Sequence, residues 1–236
     1  MANGPSLDKI LFLDIETVPA WPDYQSMPDH FRTLWEHKSG YLKRNETDTP
    51  ELLYQRAGIY AEFGKIVCIS VGHFYGEKFR MKSFYGHDEK KLLTEFADML
   101  DKFCKTPEHA LAAHNGKEFD FPYISRRMLV HQICLPVVLD NQGRKPWEVT
   151  LIDTMELWKF GDYKHYTSLA LLAALFDLPT PKGDIDGSQV ARVYYEDGDL
   201  ERIARYCQLD TLTVARLYCR FKLLAPPTDD QIVIIS

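Results

Sequence analysis

Four consecutive apolar residues, Ile10-Leu11-Phe12-Leu13, run directly into Asp14-Ile15-Glu16. A short apolar run of this kind reads as a buried strand whose tip opens onto a site. Side chains alternate faces along a strand, so acids two positions apart project from the same side and can converge on one ion. Beside a buried run an unpaired carboxylate would be costly, and something cationic is expected near these two. The plain alternative is a pair of acids that ends a strand in water.

Pro19 and Pro22 stop this strand. From Trp21 to about Tyr60 the pattern is mixed: Asp29 to His37 and Pro50 to Tyr60 read as helical, on either side of a polar stretch from Lys43 to Thr49. Ile66 to Tyr75 and Phe79 to Phe84 are β-rich and separated by Gly76-Glu77-Lys78, a hairpin pattern. Asp88 can cap a helix that carries Leu92, Phe96, Met99, Leu100 and Phe103 on one face. Leu111-Ala112-Ala113 is strand-like, Phe121 to His131 is helical with Pro122 in the first turn, and Val149 to Asp153 reads as another strand ending in an acid. Leu169, Leu172, Ala173 and Phe176 share a helical face, a helix near Ser188 to Tyr195 follows, and a long one runs from Asp199 to about Phe221. Pro226-Pro227 breaks it, and the β-prone segment Gln231 to Ile235 has no evident place.

The 236 residues suit one domain, with an insertion at about 20–60 and a short tail from about 225. With 28 Lys and Arg against 34 Asp and Glu the net charge is −6, so the overall basic excess of a nucleic-acid-coating protein is excluded. Any site for a polyanion must be local or metal-assisted. Cys68, Cys104, Cys134, Cys207 and Cys219 are odd in number and contain no C-x-x-C pair, which argues against a disulfide framework and a zinc ribbon. The N-terminus lacks a signal pattern and no stretch approaches the roughly 18 apolar residues of a membrane span, so the expected location is cytoplasmic and no membrane partner is expected.

Two further acids stand in suggestive settings. Asp120 closes His114-Asn115-Gly116-Lys117-Glu118-Phe119-Asp120 just before a helix, where it could equally be a helix cap. Tyr206 and Asp210 are four apart on the last helix and share a face, although core packing of one and solvation of the other would explain them separately. Four acids together, without a histidine and cysteine cluster, imply hard ions held by oxygen, Mg²⁺ or Mn²⁺. Two-metal phosphodiester hydrolysis needs such a site.

Phe12-Leu13-Asp14-Ile15-Glu16-Thr17, His114-Asn115-Gly116 through Phe119-Asp120-Phe121-Pro122, and Tyr206-Cys207-Gln208-Leu209-Asp210 resemble, in order, the three exonuclease motifs of the DEDD superfamily. The tyrosine four residues before the last aspartate resembles the DEDDy branch. Lys65 to Ser70, Ser168-Leu169 and Gly187-Ser188-Gln189-Val190 are similar to stand-alone exonucleases related to the proofreading domain of family B DNA polymerases.

The resemblance implies an α/β, RNase H-like fold, a mixed central β-sheet flanked by α-helices. It implies a 3′-5′ exonuclease acting on single-stranded DNA ends with two Mg²⁺ or Mn²⁺ ions, with an RNA substrate or a non-catalytic adaptor as alternatives. Asp14, Glu16 and Asp210 would hold the nucleophile-side metal, Asp14 would bridge to the second, and Asp120 would support that second ion. Tyr206, as a phenol with an ordinary pKa of about 10, would orient water rather than act as a base. Thr17, Val18, Asn115 and Phe119 become candidate contacts to the terminal nucleotide: the Thr17 N–H on a sugar hydroxyl, Val18 as a wedge against a base, Phe119 there or in the core. Asp153 is a fifth acid, as a neighbour of the site or as a helix cap. Lys117, Arg126, Arg127, Lys164 and His165 could touch phosphates or simply be solvated. In the insertion, Trp21, Tyr24 and Trp35 could stack on a strand guided past the site, or pack on the domain.

Overall fold

The computed structural model describes residues 4–145, 148–162, 166–179 and 185–235. Its centre is β1 (Ile10–Pro19), which pairs antiparallel with β2 (Gly64–Tyr75), itself antiparallel to β3 (Lys78–Tyr85). On the other side β4 (Ala110–Ala113) runs parallel to β1, and β5 (Ile152–Asp153) parallel to β4. A last strand, β6 (Ile232–Ile234), runs parallel to β3, so the six strands lie in the order β5-β4-β1-β2-β3-β6. The tail left without a place thus forms an edge strand of the same sheet.

The alternation along β1 divides the core. Leu11, Leu13 and Ile15 face a layer made by helices α3 (Glu89–Phe103) and α4 (Asp120–Val130). Ile10 and Phe12 face the opposite layer, with Leu212, Ala215 and Tyr218 of a long helix over Leu200–Phe221. Asp88 starts α3 by accepting the Lys91 N–H at 3.0 Å, and Leu93, Phe96 and Leu100 behind it are fully buried. Burying a side chain of that size contributes about 1.5–3 kcal/mol over leaving it in water.

Three element boundaries differ from the sequence reading. The first strand does not end at its acids but continues to Pro19, with a register shift against β2 between Glu16 and Thr17. Helix α1 spans Asp29–Gly40, but the second helical stretch is only α2 (Pro50–Tyr54) followed by a 3₁₀ turn at Ala57–Ile59. Gly58 in that turn packs onto β1: a Cβ there would stand 2.9 Å from the Val18 carbonyl carbon, and the chain gives up helix for this approach. The strand expected from Val149 to Asp153 is reduced to Ile152–Asp153, since β4 offers it only Ala112 and Ala113 as partners.

Between β5 and the last helix lie α5 (Thr154–Lys159), α6 (Leu169–Leu175) and α7 (Val190–Arg192). Helix α7 widens into a π turn over Val193–Asp197, which Gly198 ends with φ of 67°. Asp199 then opens the last helix, α8, by accepting the Arg202 N–H at 2.9 Å.

The insertion has a small core of its own, built from Met27, Trp35, Tyr54, Ala57 and Phe63. Trp35 is fully buried, and its Nε1 donates to the Pro50 carbonyl at 2.8 Å. Of its three aromatic candidates, Trp35 therefore packs, and Trp21 lies partly covered against Phe31 with ring centres 4.9 Å apart.

Candidate functional site

Asp14 and Glu16 stand on the α8 side of β1. The short β4 pairs only with Ile10, Leu11 and Phe12, so β1 extends past its neighbour along the stretch that carries both acids. On that stretch the Ile15 N–H hydrogen bonds to the Asp120 carboxylate, which brings the first residue of α4 to β1 from the opposite layer. Asp120 also bonds to its own backbone N–H, so its helix-start position and its place in the site coincide.

The loop before α4 is held by Asp153. One Asp153 oxygen accepts the Asn115 N–H and the Met155 N–H, each at 2.9 Å, and the other accepts the Lys117 N–H at 3.0 Å. Asp153 therefore caps α5 and fastens the loop that delivers Asp120. His114 adds a second clamp, donating from Nε2 to the Thr167 carbonyl at 2.9 Å while Nδ1 meets the Thr154 hydroxyl at 2.9 Å. At Gly116 a Cβ would meet that of Ala113 at 2.4 Å, so only glycine lets the loop turn this tightly.

Helix α8 supplies the rest. Ile203, Ala204 and Cys207 pack with Val18, Val67 and Cys68. Polar ties fix its rotation: the Cys207 thiol donates to the Asp14 carbonyl at 3.3 Å, Thr211 Oγ1 to the Ser70 carbonyl at 3.2 Å, and Gln208 Nε2 to Ser83 Oγ at 2.9 Å. Tyr206 and Asp210 flank this packed face, and the Tyr206 hydroxyl donates to the Asp210 carboxylate. Cys207 is the functional neighbour that sequence reasoning passed over. Its only advance signal is its helical spacing with the buried residues Ile203, Ala204 and Thr211.

The electrostatics of the cluster follow from burial and like charge. Desolvation pushes Asp14 well above the usual carboxylate range, and the charges of Glu16, Asp210 and Asp120 push it further. Glu16, 7% exposed, is raised by the same burial and by Asp210. Asp120 rises to about 7 and Asp210 to about 6, burial again being the main cause; the Tyr206 bond works against it at Asp210. Four carboxylates that share a low-dielectric pocket without a cation are an incomplete charge set. The ligand atoms of Asp14, Glu16 and Cys207 lie within 4.8 Å of one another. Burial pushes the Cys207 thiol well above its ordinary pKa, and its sulfur is engaged as a donor to the Asp14 carbonyl, so the ligand atoms on offer are chiefly the carboxylate oxygens. An all-oxygen, strongly anionic donor set fits Mg²⁺ or Mn²⁺.

A cleft of about 470 Å³ opens beside Glu16, lined among others by Thr17, Arg56, Ile59, Phe119 and Ser188. Thr17 and Phe119 thus border the cleft, with Phe119 also against Tyr123 at 5.4 Å between ring centres. Val18 does not: its side chain has 0% exposure, which leaves it no surface to offer a base. It faces the α8 side by the same alternation that puts Asp14 and Glu16 there, and packs with Val67 and Cys68. Asn115 takes a left-handed backbone (φ 59°), and its buried Oδ1 has no hydrogen-bond partner among the described residues.

The suggested phosphate contacts scatter. Arg127 is bound to buried Glu89 at 2.6 Å, Lys117 pairs with Glu156, and Arg126 lines a separate apolar pocket beside α4. Lys164 and His165 lie outside the described residues.

The profile of a protein family described as a predicted 3′-5′ exonuclease related to the exonuclease domain of PolB matches residues 59–231, a span that contains Asp120, Tyr206 and Asp210 but begins after Asp14 and Glu16. No curated protein sequence is similar enough to count as a match. Among solved structures, the family B DNA polymerase from the hyperthermophilic archaeon Pyrobaculum calidifontis is similar over 91% of this chain, with a TM-score of 0.56 and 16% identity. The chain spans 24% of that polymerase, so the likeness speaks for the fold, an RNase H-like α/β arrangement as expected. Among the described residues no helix is long and apolar enough to cross a membrane.

Proposed function

The chain belongs to the family of predicted 3′-5′ exonucleases related to the exonuclease domain of PolB, and from that premise we propose that it is a divalent-metal-dependent exonuclease shortening single-stranded DNA from the 3′ end and releasing nucleoside 5′-monophosphates. One observation carries the reading: Asp120 at the start of α4 accepts the Ile15 N–H between Asp14 and Glu16 on β1, and Cys207 ties α8 to the Asp14 carbonyl, so that Glu16, Asp120 and Asp210 all stand near enough to raise the Asp14 carboxyl. The relation to a DNA polymerase domain supports DNA as the polymer.

Asp14, Glu16 and Asp210 would hold the ion on the side of the attacking water, and Asp120 would support a second ion on the far side. Two such ions supply Lewis acidity at the water and at the leaving oxygen. The Tyr206 hydroxyl donates a hydrogen bond to the Asp210 carboxylate, and its oxygen retains lone pairs that can accept a hydrogen bond from the attacking water. Because the phenol is raised far above neutrality, it aims the water rather than deprotonating it. Asp153 and His114 hold the loop under Asp120, while Thr17 and Phe119 line the space where a terminal nucleotide can sit.

The test is digestion of a 5′-labelled oligonucleotide by purified protein. Wild type should give a ladder shortened from the 3′ end in Mg²⁺ or Mn²⁺. EDTA, Asp14→Ala and Asp210→Ala should each reduce it to background. Full activity of either variant would contradict the reading, and tight binding with no hydrolysis in Mn²⁺ would point to a non-catalytic adaptor. A matched RNA oligomer degraded faster than DNA would reassign the polymer.

A further inference from the structure

We propose that Arg56, contributed by the insertion, is a substrate-positioning residue that pairs with a phosphate of the bound strand end; the proposal rests on the exonuclease reading and adds to it a residue outside the three motifs. The insertion forms part of the cleft wall: Gln55, Arg56, Gly58 and Ile59 line it together with Glu16, Thr17 and Phe119. Arg56 and Glu16 are the charged residues among the described residues that line it, so Arg56 is the cation among them. Its side chain is exposed, and its guanidinium takes part in no ion pair or hydrogen bond among the described residues.

The backbone that carries Arg56 is anchored. The Tyr123 hydroxyl donates to the Gly58 carbonyl at 2.8 Å and also hydrogen bonds with the Thr17 side chain. Arg127, locked to Glu89, donates to the Ala61 carbonyl at 2.9 Å. A free cation on a fixed turn is preorganised for a ligand at low entropic cost.

Charge selects the ligand. The protein is acidic overall at −6, so attraction for a polyanion must be local, from ions at the carboxylates or from a side chain such as Arg56. Past Gln55 the groove continues between α2 and α7, where Asp23, Glu51 and Glu196 outnumber Arg192, itself paired with Asp197 at 3.2 Å. That continuation repels phosphates, which confines the contact to the Arg56 end. Guanidinium and phosphate match as a two-pronged, charge-assisted pair.

The test compares Arg56→Ala, Arg56→Lys and, as a control on an exposed cation of α3 that does not line the cleft, Lys90→Ala. Steady-state digestion of a single-stranded oligonucleotide in Mg²⁺ gives KM and kcat, and fluorescence anisotropy in Ca²⁺ gives binding against salt. Arg56→Ala should raise KM about three- to tenfold with kcat within about twofold, and reduce the log-log salt slope by about 1. Arg56→Lys should keep the slope and recover part of the KM. Oligonucleotides ending in a 3′-hydroxyl and a 3′-phosphate separate the sources: equal losses assign an internal phosphodiester, a loss confined to the second assigns a terminal phosphate. Unchanged KM and slope in Arg56→Ala, or the same change in Lys90→Ala, would overturn the proposal. Wild-type protein that binds but never cleaves would sink the exonuclease reading alone, because the anisotropy comparison still decides the role of Arg56.

Discussion

Tyr206 keeps its proton at neutral pH, since burial and the charges of Asp210, Glu16 and Asp14 all disfavour a phenolate. Removing its hydroxyl should therefore cost rate rather than metal affinity. Tyr206→Phe is expected to lower kcat about 10- to 100-fold at unchanged Mn²⁺ affinity, measured by single-turnover digestion and metal titration. A fully active variant would remove the water-orienting role. Asp153 serves the architecture instead, accepting backbone N–H groups from both the α4 loop and α5. Asp153→Ala should destabilise the protein by about 2–4 kcal/mol in urea unfolding, as a lost cap and orphaned amides. A loss below about 0.5 kcal/mol, the size of an ordinary surface change, would contradict that account.

At the scale of elements, the site depends on unequal strand lengths. β1 outruns β4, and the overhang gives Asp120 its contact with the Ile15 N–H. Much of this was legible: the apolar run before Asp14, the cap at Asp88, the hairpin after Tyr75 and the face of α8 each announce themselves by periodicity or by a turn residue. What was not legible depends on long-range contact. Pro50 to Tyr60 stops being helix at Tyr54, and the turn that follows fits Gly58 against Val18, a contact that a single glycine in the stretch does not announce. The burial of Val18 and Trp35 is likewise decided by partners far along the chain. Gly58→Ala should cost about 1–3 kcal/mol by overpacking, with a parallel loss of exonuclease rate as the cleft wall shifts. Thermal melts matching wild type would show that the approach is looser than described.

For the whole molecule, the acid cluster links stability to pH and, under the proposed function, to ion binding. Asp120 at about 7 and Asp210 at about 6 stand above their ordinary value of 3.8, so the folded protein binds more protons than the unfolded chain in between. Their contribution to stability is greatest below about pH 4 and is lost as pH rises through 6 to 7. Divalent ions need the deprotonated carboxylates, so Mg²⁺ should raise the Tm of EDTA-treated protein more at pH 8 than at pH 5.5. An equal or reversed shift in differential scanning fluorimetry would mean that the ions bind elsewhere. The most direct measurement is anomalous diffraction from crystals soaked with Mn²⁺ and a nucleoside monophosphate. The account predicts a peak among Asp14, Glu16 and Asp210 and a second on the Asp120 side, with the nucleotide in the cleft by Thr17 and Phe119. Manganese bound away from these carboxylates, or none at all, would contradict it.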